Sequence, residues 1–344
     1  MIPDLAIAVN GGMLQGFRAP LCTAFLALVV AYFLTPFVRD VAIQQGAVDD
    51  PKIDDRRVHT KPIPRWGGLA IYAGIVIAIA LVMPFAYPTP PTFPAYLVAM
   101  LVIAGGLVIV GALDDLYQYK AKVQALVLLL AGVAVQFFYG PVGRVQISTL
   151  GIPIHGPASY ISLGIFAIPL TAAYIFVVTK TMDTIDGVDG LSAGIATISA
   201  GTLVVIAVYS HQPRVAIVAA AIAGSALGFL RHNYNPAKIF MGTGGAYVLG
   251  FLLACSSIVG ALKTAAAVSL ILPVLVFGVP MMDAFVVIVR RLLSGEPITQ
   301  ADKRHLHHTL LGRGLSQRQT VLVLYVAAAA LCALALFVVR GNHV

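Results

Sequence analysis

Uninterrupted apolar stretches of about 20 residues recur from one end of the chain to the other, separated by short polar segments. A helix of that length crosses the hydrocarbon core of a bilayer, where its backbone hydrogen bonds are satisfied internally. Charged residues make up only 10% of the 344 and hydrophobic residues 59%, whereas a soluble domain carries roughly 25% charged residues. The chain therefore reads as a single all-α polytopic membrane domain over residues 1–344. Ten spans are expected, at about 20–39, 67–87, 95–113, 122–139, 160–180, 191–210, 215–231, 244–261, 265–290 and 319–340.

With the N-terminus outside, 17 of the 22 lysines and arginines fall on the inner side, leaving Arg18, Arg144, Arg214, Lys263 and Arg340 outside. The positive-inside bias thus predicts both termini outside and the charged loops in the cytoplasm. The same topology accounts for the net charge of +8 without nucleic acid, since no basic patch with interleaved aromatics occurs. Cys22, Cys255 and Cys332 lie within apolar runs and lack the spacing of a metal knuckle or a disulfide framework. The first apolar run has no basic segment before it and no cleavage site after it, so it is expected to be retained as a span. Residues 140–157, GPVGRVQISTLGIPIHGP, alternate β-branched residues with Gly and Pro and predict a small extracytoplasmic hairpin.

Acids play little part in setting topology, yet 13 of the 14, all but Asp4, gather at the inner end of the spans. In TKTMDTIDGVDGL, Lys180, Asp183, Asp186 and Asp189 follow one another at intervals of three, which places them on one broad helix face. A carboxylate at the bilayer centre costs about 2.5–3.5 kcal/mol on insertion scales, so such a cluster belongs at a wet boundary or on a cation. Asp114 and Asp115 end another span as an adjacent acid pair, tolerated where a divalent ion or a cationic group offsets the repulsion. A solvated loop or an interfacial helix end would explain either cluster alone. Charges crowded at one end, together with the lack of an internal repeat, argue against a cation-coupled transporter.

Three further segments add anion-binding chemistry. RHNYNPAKIFMGTGGA presents Asn233, Asn235 and Lys238 before a glycine-rich turn that opens a span; a helix start attracts phosphate, although small residues there also serve packing. In ADKRHLHHTLLGRG, His305 and His308 lie one helical turn apart beside Lys303, Arg304 and Arg313, surroundings that favour anionic oxygens over a metal such as zinc. Asp283 sits inside an apolar helix two turns before Arg290, where a polar packing role competes with function. Clustered acids for a hard divalent cation, cations for phosphate oxygens and a bundle open to lipid together equip a chain for phosphoryl transfer onto a lipid.

The segments DDRRVHTKPIPRWGG, ALDDLY, IDGVDGLSAG, NPAKIFMG, DAFVVIVRRLLSG and ADKRHLHHTLLGRGLSQRQ, in this order and spacing, resemble the bacterial polyprenyl-phosphate N-acetylhexosamine-1-phosphate transferases, members of glycosyltransferase family 4. The resemblance covers nearly the whole chain. The sister phospho-N-acetylmuramoyl-pentapeptide transferases fit less well, because they carry Gly-Thr-Pro-Thr-Met-Gly-Gly where this chain has KPIPRWGG and His-His-His-Phe-Glu where it has HLHH. The resemblance implies ten helices in a bacterial cytoplasmic membrane and an active site facing the cytoplasm. It also implies undecaprenyl phosphate and a UDP-N-acetylhexosamine as substrates, with Mg²⁺, replaceable by Mn²⁺, as cofactor. A homodimer is compatible with it.

Carried over by position, Asp114 and Asp115 would lie beside the lipid phosphate and the metal, and Asp186 in the catalytic acidic cluster. Asp189, Asn233 and Phe240 would contact the uridine; Arg304, His305, His307 and His308 would hold the diphosphate or the sugar, and Lys61 would lie on the nucleotide side. The chain departs from the family in having Lys180 and Asp183 where asparagines are usual, and Thr243 where the family has a metal-ligating aspartate. A hydroxyl is a weaker Mg²⁺ ligand than a carboxylate. Asp183 is therefore the expected replacement, giving Asp115, Asp183, Asp186 and Thr243 as the metal set. A non-catalytic lipid- or nucleotide-binding relative is the alternative these departures raise.

Overall fold

The computed structural model describes residues 13–49, 62–151, 160–260, 271–294 and 305–341. After a single helical turn at Met13–Gly16 come α1 (Arg18–Gln44), β1 (Val48–Asp49), β2 (Ile63–Pro64), α2 (Gly67–Ala86), α3 (Ala95–Tyr117) and α4 (Ala121–Ala134). They are followed by β3 (Thr149–Gly151), β4 (Tyr160–Ser162), α5 (Ala167–Ile185), α6 (Leu191–Tyr209), α7 (Pro213–Asn233) and α8 (Gly242–Gly260). The chain closes with α9 (Ile271–Val276), α10 (Gly278–Ser294), α11 (Leu306–Gly312) and α12 (Gln317–Gly341).

Among the described residues, eight helices are long and apolar enough to cross a membrane, and the fold is the all-α polytopic bundle the apolar runs predict. The fourth expected span is a shorter apolar helix extended by a 3₁₀ turn, Ala121–Phe137. The ninth is not one continuous helix: α9 and α10 meet at Phe277, within a segment carrying Pro273 and Pro280. The two strand pairs are short and antiparallel. β3 and β4 form a hairpin between the fourth and fifth spans, with Leu150 opposite Ile161, but its second strand lies beyond 140–157 and occupies the expected start of span five, whose helix begins at Ala167; β1 pairs Val48 with Pro64 and Asp49 with Ile63.

Helix α8 forms the axis of the bundle. It packs against α2, α3, α5, α6 and α7, and every one of its residues except Thr243 is buried. Glycine permits this closeness. A Cβ on Gly68 would stand 2.2 Å from Gly245 N, and one on Gly111 would stand 2.3 Å from Gly244 Cα. Backbones of α2 and α3 therefore touch the first turn of α8 directly, the small-residue packing that membrane helices use in place of a hydrophobic driving force.

Prolines inside the helices leave carbonyls without their usual donor four residues on, and neighbouring helices supply one. Pro36 frees the carbonyl of Tyr32, which lies 3.0 Å from His232 Nε2 on α7. Pro280 frees that of Val276, to which Ser199 Oγ on α6 donates at 2.7 Å. Each freed carbonyl thus becomes a contact between helices.

Candidate active site

The polar segments at one end of the bundle converge around the start of α8. This helix opens at Gly242, whose φ of +73° and whose position 2.3 Å (as a built Cβ) from Asp115 Oδ2 both exclude a side chain. The absence of a side chain lets the last turn of α3 lie against the first turn of α8, where Thr243 N donates to Asp115 Oδ1 at 3.2 Å. Arg65 reaches the same oxygen at 3.4 Å and also pairs with Asp49 of β1. Trp66, the one tryptophan of the chain, holds φ +80°, an outlier for a bulky residue. Its indole donates to Ala112 O at 3.0 Å, while Gly67 N and Gly68 N donate to Phe240 O and Met241 O at 3.0 and 2.8 Å. These bonds tie the start of α2 to the end of α3 and the start of α8.

Asp114 faces another set of donors. Tyr119 N donates to its Oδ1 at 2.8 Å, and Gln124 Nε2 lies 3.1 and 3.0 Å from its two oxygens. The Gln124 oxygen accepts from Lys180 Nζ at 3.0 Å, and Lys180 also pairs with Asp183 at 2.6 Å. Asp183, expected among the metal ligands, is thus already matched by a cation.

Asp186 caps the end of α5. Burial first, then the Asp183, Asp115 and Asp189 charges, raise it well above the usual carboxylate range, against the lowering influence of Arg65. Asp189 accepts from Asn235 Nδ2 and Ala237 N, both at 3.0 Å. Asn233 is 2% exposed and spends both ends of its amide internally, accepting from Gly190 N and donating to Ile239 O, each at 3.0 Å. It braces the loops from which a uridine contact was expected. Phe240 is half-buried beside them and bonds through its backbone to Pro64 O at 2.8 Å. Helix α12 closes this side: Gln317 bonds to Asn235, Arg318 donates to Asn235 O at 3.0 Å, and Tyr325 donates to Gly190 O.

The histidines arrive on α11. Asp283 of α10 accepts from Leu306 N at 2.6 Å and lies 2.8 Å from His305 Nδ1, which docks the start of α11 on α10. His305 and His307 stack at 5.7 Å, and His307 and His308 lie 4.4 Å apart. A Cβ on Gly187 would stand 3.0 Å from His307 Nε2, so His307 is seated against the loop that carries Asp186 and Asp189. Burial, then the charge of His308, lowers His307 to about 4. His307 is neutral at neutral pH and offers a hydrogen bond rather than a charge. Arg304 and Lys61 lie outside the described residues.

Does this set suit a divalent cation? Among the described residues, no group of three His, Cys, Asp or Glu is arranged to hold one. However, two buried polar atoms have no partner here: Asp115 Oδ2, and the hydroxyl of Tyr247, which lies one turn into α8 within electrostatic reach of Asp183, Asp114 and Asp115. Mg²⁺ typically takes one or two carboxylates plus substrate phosphates and water rather than a cage made of protein alone. Asp115 and Asp186, beside the accessible Thr243, fit that smaller demand.

Sequence reasoning singled out most of the acids and histidines. It passed over Gln124 and Tyr247, which sit inside apolar helices and carry no local pattern, and over the pairing of Arg65 with Asp115, two residues 50 positions apart.

A model of glycosyl transferase family 4 matches residues 96–261, from α3 through α8. A Bacillus subtilis protein named as a probable undecaprenyl-phosphate N-acetylglucosaminyl 1-phosphate transferase is 36% identical over 91% of this chain and 84% of its own length. The decaprenyl-phosphate N-acetylglucosaminephosphotransferase of Mycobacterium tuberculosis is 36% identical over 92% and 84%. The undecaprenyl-phosphate alpha-N-acetylglucosaminyl 1-phosphate transferase of Escherichia coli is 28% identical over 87% and 78%. With relatives of this identity aligned along almost its entire length, the chain belongs to glycosyl transferase family 4.

Proposed function

We propose that this protein transfers N-acetylglucosamine 1-phosphate from UDP-N-acetylglucosamine to a polyprenyl phosphate, undecaprenyl phosphate in the first instance, and releases UMP at the cytoplasmic face of a bacterial membrane. The names of the relatives supply the sugar, which no motif in the sequence reports, and the lipid phosphate class. The observation that carries the reading is the unpartnered Asp115 Oδ2, buried where the ends of α3 and α5 meet the start of α8.

An oxygen of the lipid phosphate attacks the β-phosphorus of the nucleotide sugar. A P–O bond forms there, the bond to the bridging oxygen breaks, and UMP leaves with that oxygen and its electron pair. A phosphate monoester with its second pKa near 6 is mostly dianionic at neutral pH, so deprotonation contributes little and positioning dominates. Mg²⁺, when bound through Asp115 and Asp186, supplies the positive charge that lets two anionic substrates meet. Asp114, held through both of its oxygens by Tyr119 N and Gln124 Nε2, is fixed in orientation. The chain from Asp189 through Asn235 to α12 holds the nucleotide-side loop. His305, His307 and His308, with Arg304, offer donors to the diphosphate and the sugar.

Purified protein in lipid with polyprenyl phosphate, UDP-N-acetylglucosamine and Mg²⁺ is expected to release UMP. Asp115→Asn is expected to reduce that rate about a hundredfold or more, because one carboxylate of the metal pair is lost. Wild type that binds nucleotide sugar without releasing UMP would support the non-catalytic reading that Thr243 motivates.

A further inference from the structure

One lysine is bonded within the acidic cluster, with 36% of its side chain exposed. Lys180 Nζ donates to Asp183 Oδ2 at 2.6 Å and to Gln124 Oε1 at 3.0 Å. The Gln124 amide spans two opposite charges: its oxygen faces the ammonium, and its nitrogen donates to both oxygens of Asp114 at 3.1 and 3.0 Å. The reverse orientation would set two donors against each other, so Lys180 dictates which way this amide points. An amide whose oxygen accepts from a cation is also the stronger donor at nitrogen. Asp114, Gln124, Lys180 and Asp183 thus form one connected chain.

The remaining carboxylates differ. Asp115 engages Arg65 and Thr243 N through Oδ1 alone, and its Oδ2 is buried and unpartnered. Asp186 has the Asp183, Asp115 and Asp189 charges around it, and among the described residues Arg65 is the cation that acts against them.

We propose that Lys180 divides the acidic face into a half tied up in its own hydrogen bonds, Asp114 with Asp183, and a cation-binding half, Asp115 with Asp186, and so acts as the positioning residue that decides which carboxylates receive the divalent ion. Asp183 is then the counter-ion of Lys180 and not a replacement metal ligand for Thr243. The proposal rests on the phosphotransferase reading for its kinetic consequence, though its charge partition can be measured without turnover.

The test is Mn²⁺ binding followed by electron paramagnetic resonance in detergent-solubilised wild type, Lys180→Met, Lys180→Arg, Asp183→Asn and the Lys180→Met/Asp183→Asn double variant, with UMP release assayed in parallel. Asp183→Asn is expected to bind Mn²⁺ as wild type does. Lys180→Met, which leaves Asp183 uncompensated, is expected to bind about tenfold more tightly or to take up a second ion. The double variant returns to wild-type binding, and Lys180→Arg keeps the wild-type pattern and establishes that substitutions at this position fold. For UMP release, Lys180→Met and the double variant both lose about ten- to hundredfold in kcat with little change in KM for the nucleotide sugar, because Gln124 no longer orients Asp114.

Loss of Mn²⁺ binding in Asp183→Asn would overturn the partition, as would unchanged binding in Lys180→Met. Full recovery of kcat in the double variant would overturn the link through Gln124. Wild type that shows the expected Mn²⁺ pattern without releasing UMP overturns the functional reading and leaves the partition standing. Wild type that turns over, while Asp183→Asn loses the ion, does the reverse.

Discussion

Tyr247 separates what a residue does for the fold from what it does for the chemistry. Its side chain is 1% exposed, yet its hydroxyl has no hydrogen-bond partner. A buried hydroxyl left unsatisfied contributes nothing to stability, so Tyr247→Phe is expected to leave the midpoint of thermal unfolding unchanged or slightly higher. If the hydroxyl serves a bound phosphate or the water around a cation, the same variant lowers UMP release about tenfold. A large fall in melting temperature, with activity retained per folded molecule, would show instead that the hydroxyl is structural. Asn233 is the converse case. The sequence marked it as a polar residue of a candidate nucleotide loop; it ends α7 where that loop begins, and both ends of its amide are consumed by Gly190 and Ile239. Chemical type was readable there; which partner takes the hydrogen bonds depends on a contact 43 residues away.

At the scale of elements, α11 is held by polar contacts that pH can undo. His307 is seated neutral and titrates at about 4 instead of the ordinary 6.5, because burial disfavours its charged form. Between those values the unfolded chain binds a proton that the native protein does not. Stability from this group is therefore complete above about 6.5 and is lost as pH falls toward 4, by up to roughly 3 kcal/mol. Melting curves from pH 4 to 7 are expected to show this decline in wild type and a shallower one in His307→Gln. An equal decline in both would assign the loss to other groups. The spans themselves were legible from apolar length alone, since a membrane imposes the same requirement on every crossing helix. The break between α9 and α10 was less so: Pro273 and Pro280 are visible in the chain, but the donation from Ser199 that makes the break affordable comes from another helix. Close approach at Gly68 and Gly111 was hidden for the same reason, because a glycine announces permission and not the neighbour that uses it.

For the molecule as a whole, the proposed orientation sets every candidate site residue on the cytoplasmic side. Cys255 and Cys332 are buried and Cys22 is exposed, so replacing Cys22 by Ser yields a background suited to labelling. In that background Arg144→Cys, near the hairpin, is expected to react with a membrane-impermeant maleimide on intact cells. Lys238→Cys, in the loop before α8, is expected to react only in inside-out vesicles. The opposite pattern would invert the topology. The enclosure of α8 has a consequence of its own. Lipid is met by peripheral side chains such as Phe25, Phe33 and Phe37 on α1 and Phe337 on α12, so outer helices absorb a thicker or thinner bilayer by tilting. The mast at the centre keeps its depth while the rigging leans, and turnover should be nearly indifferent to acyl-chain length.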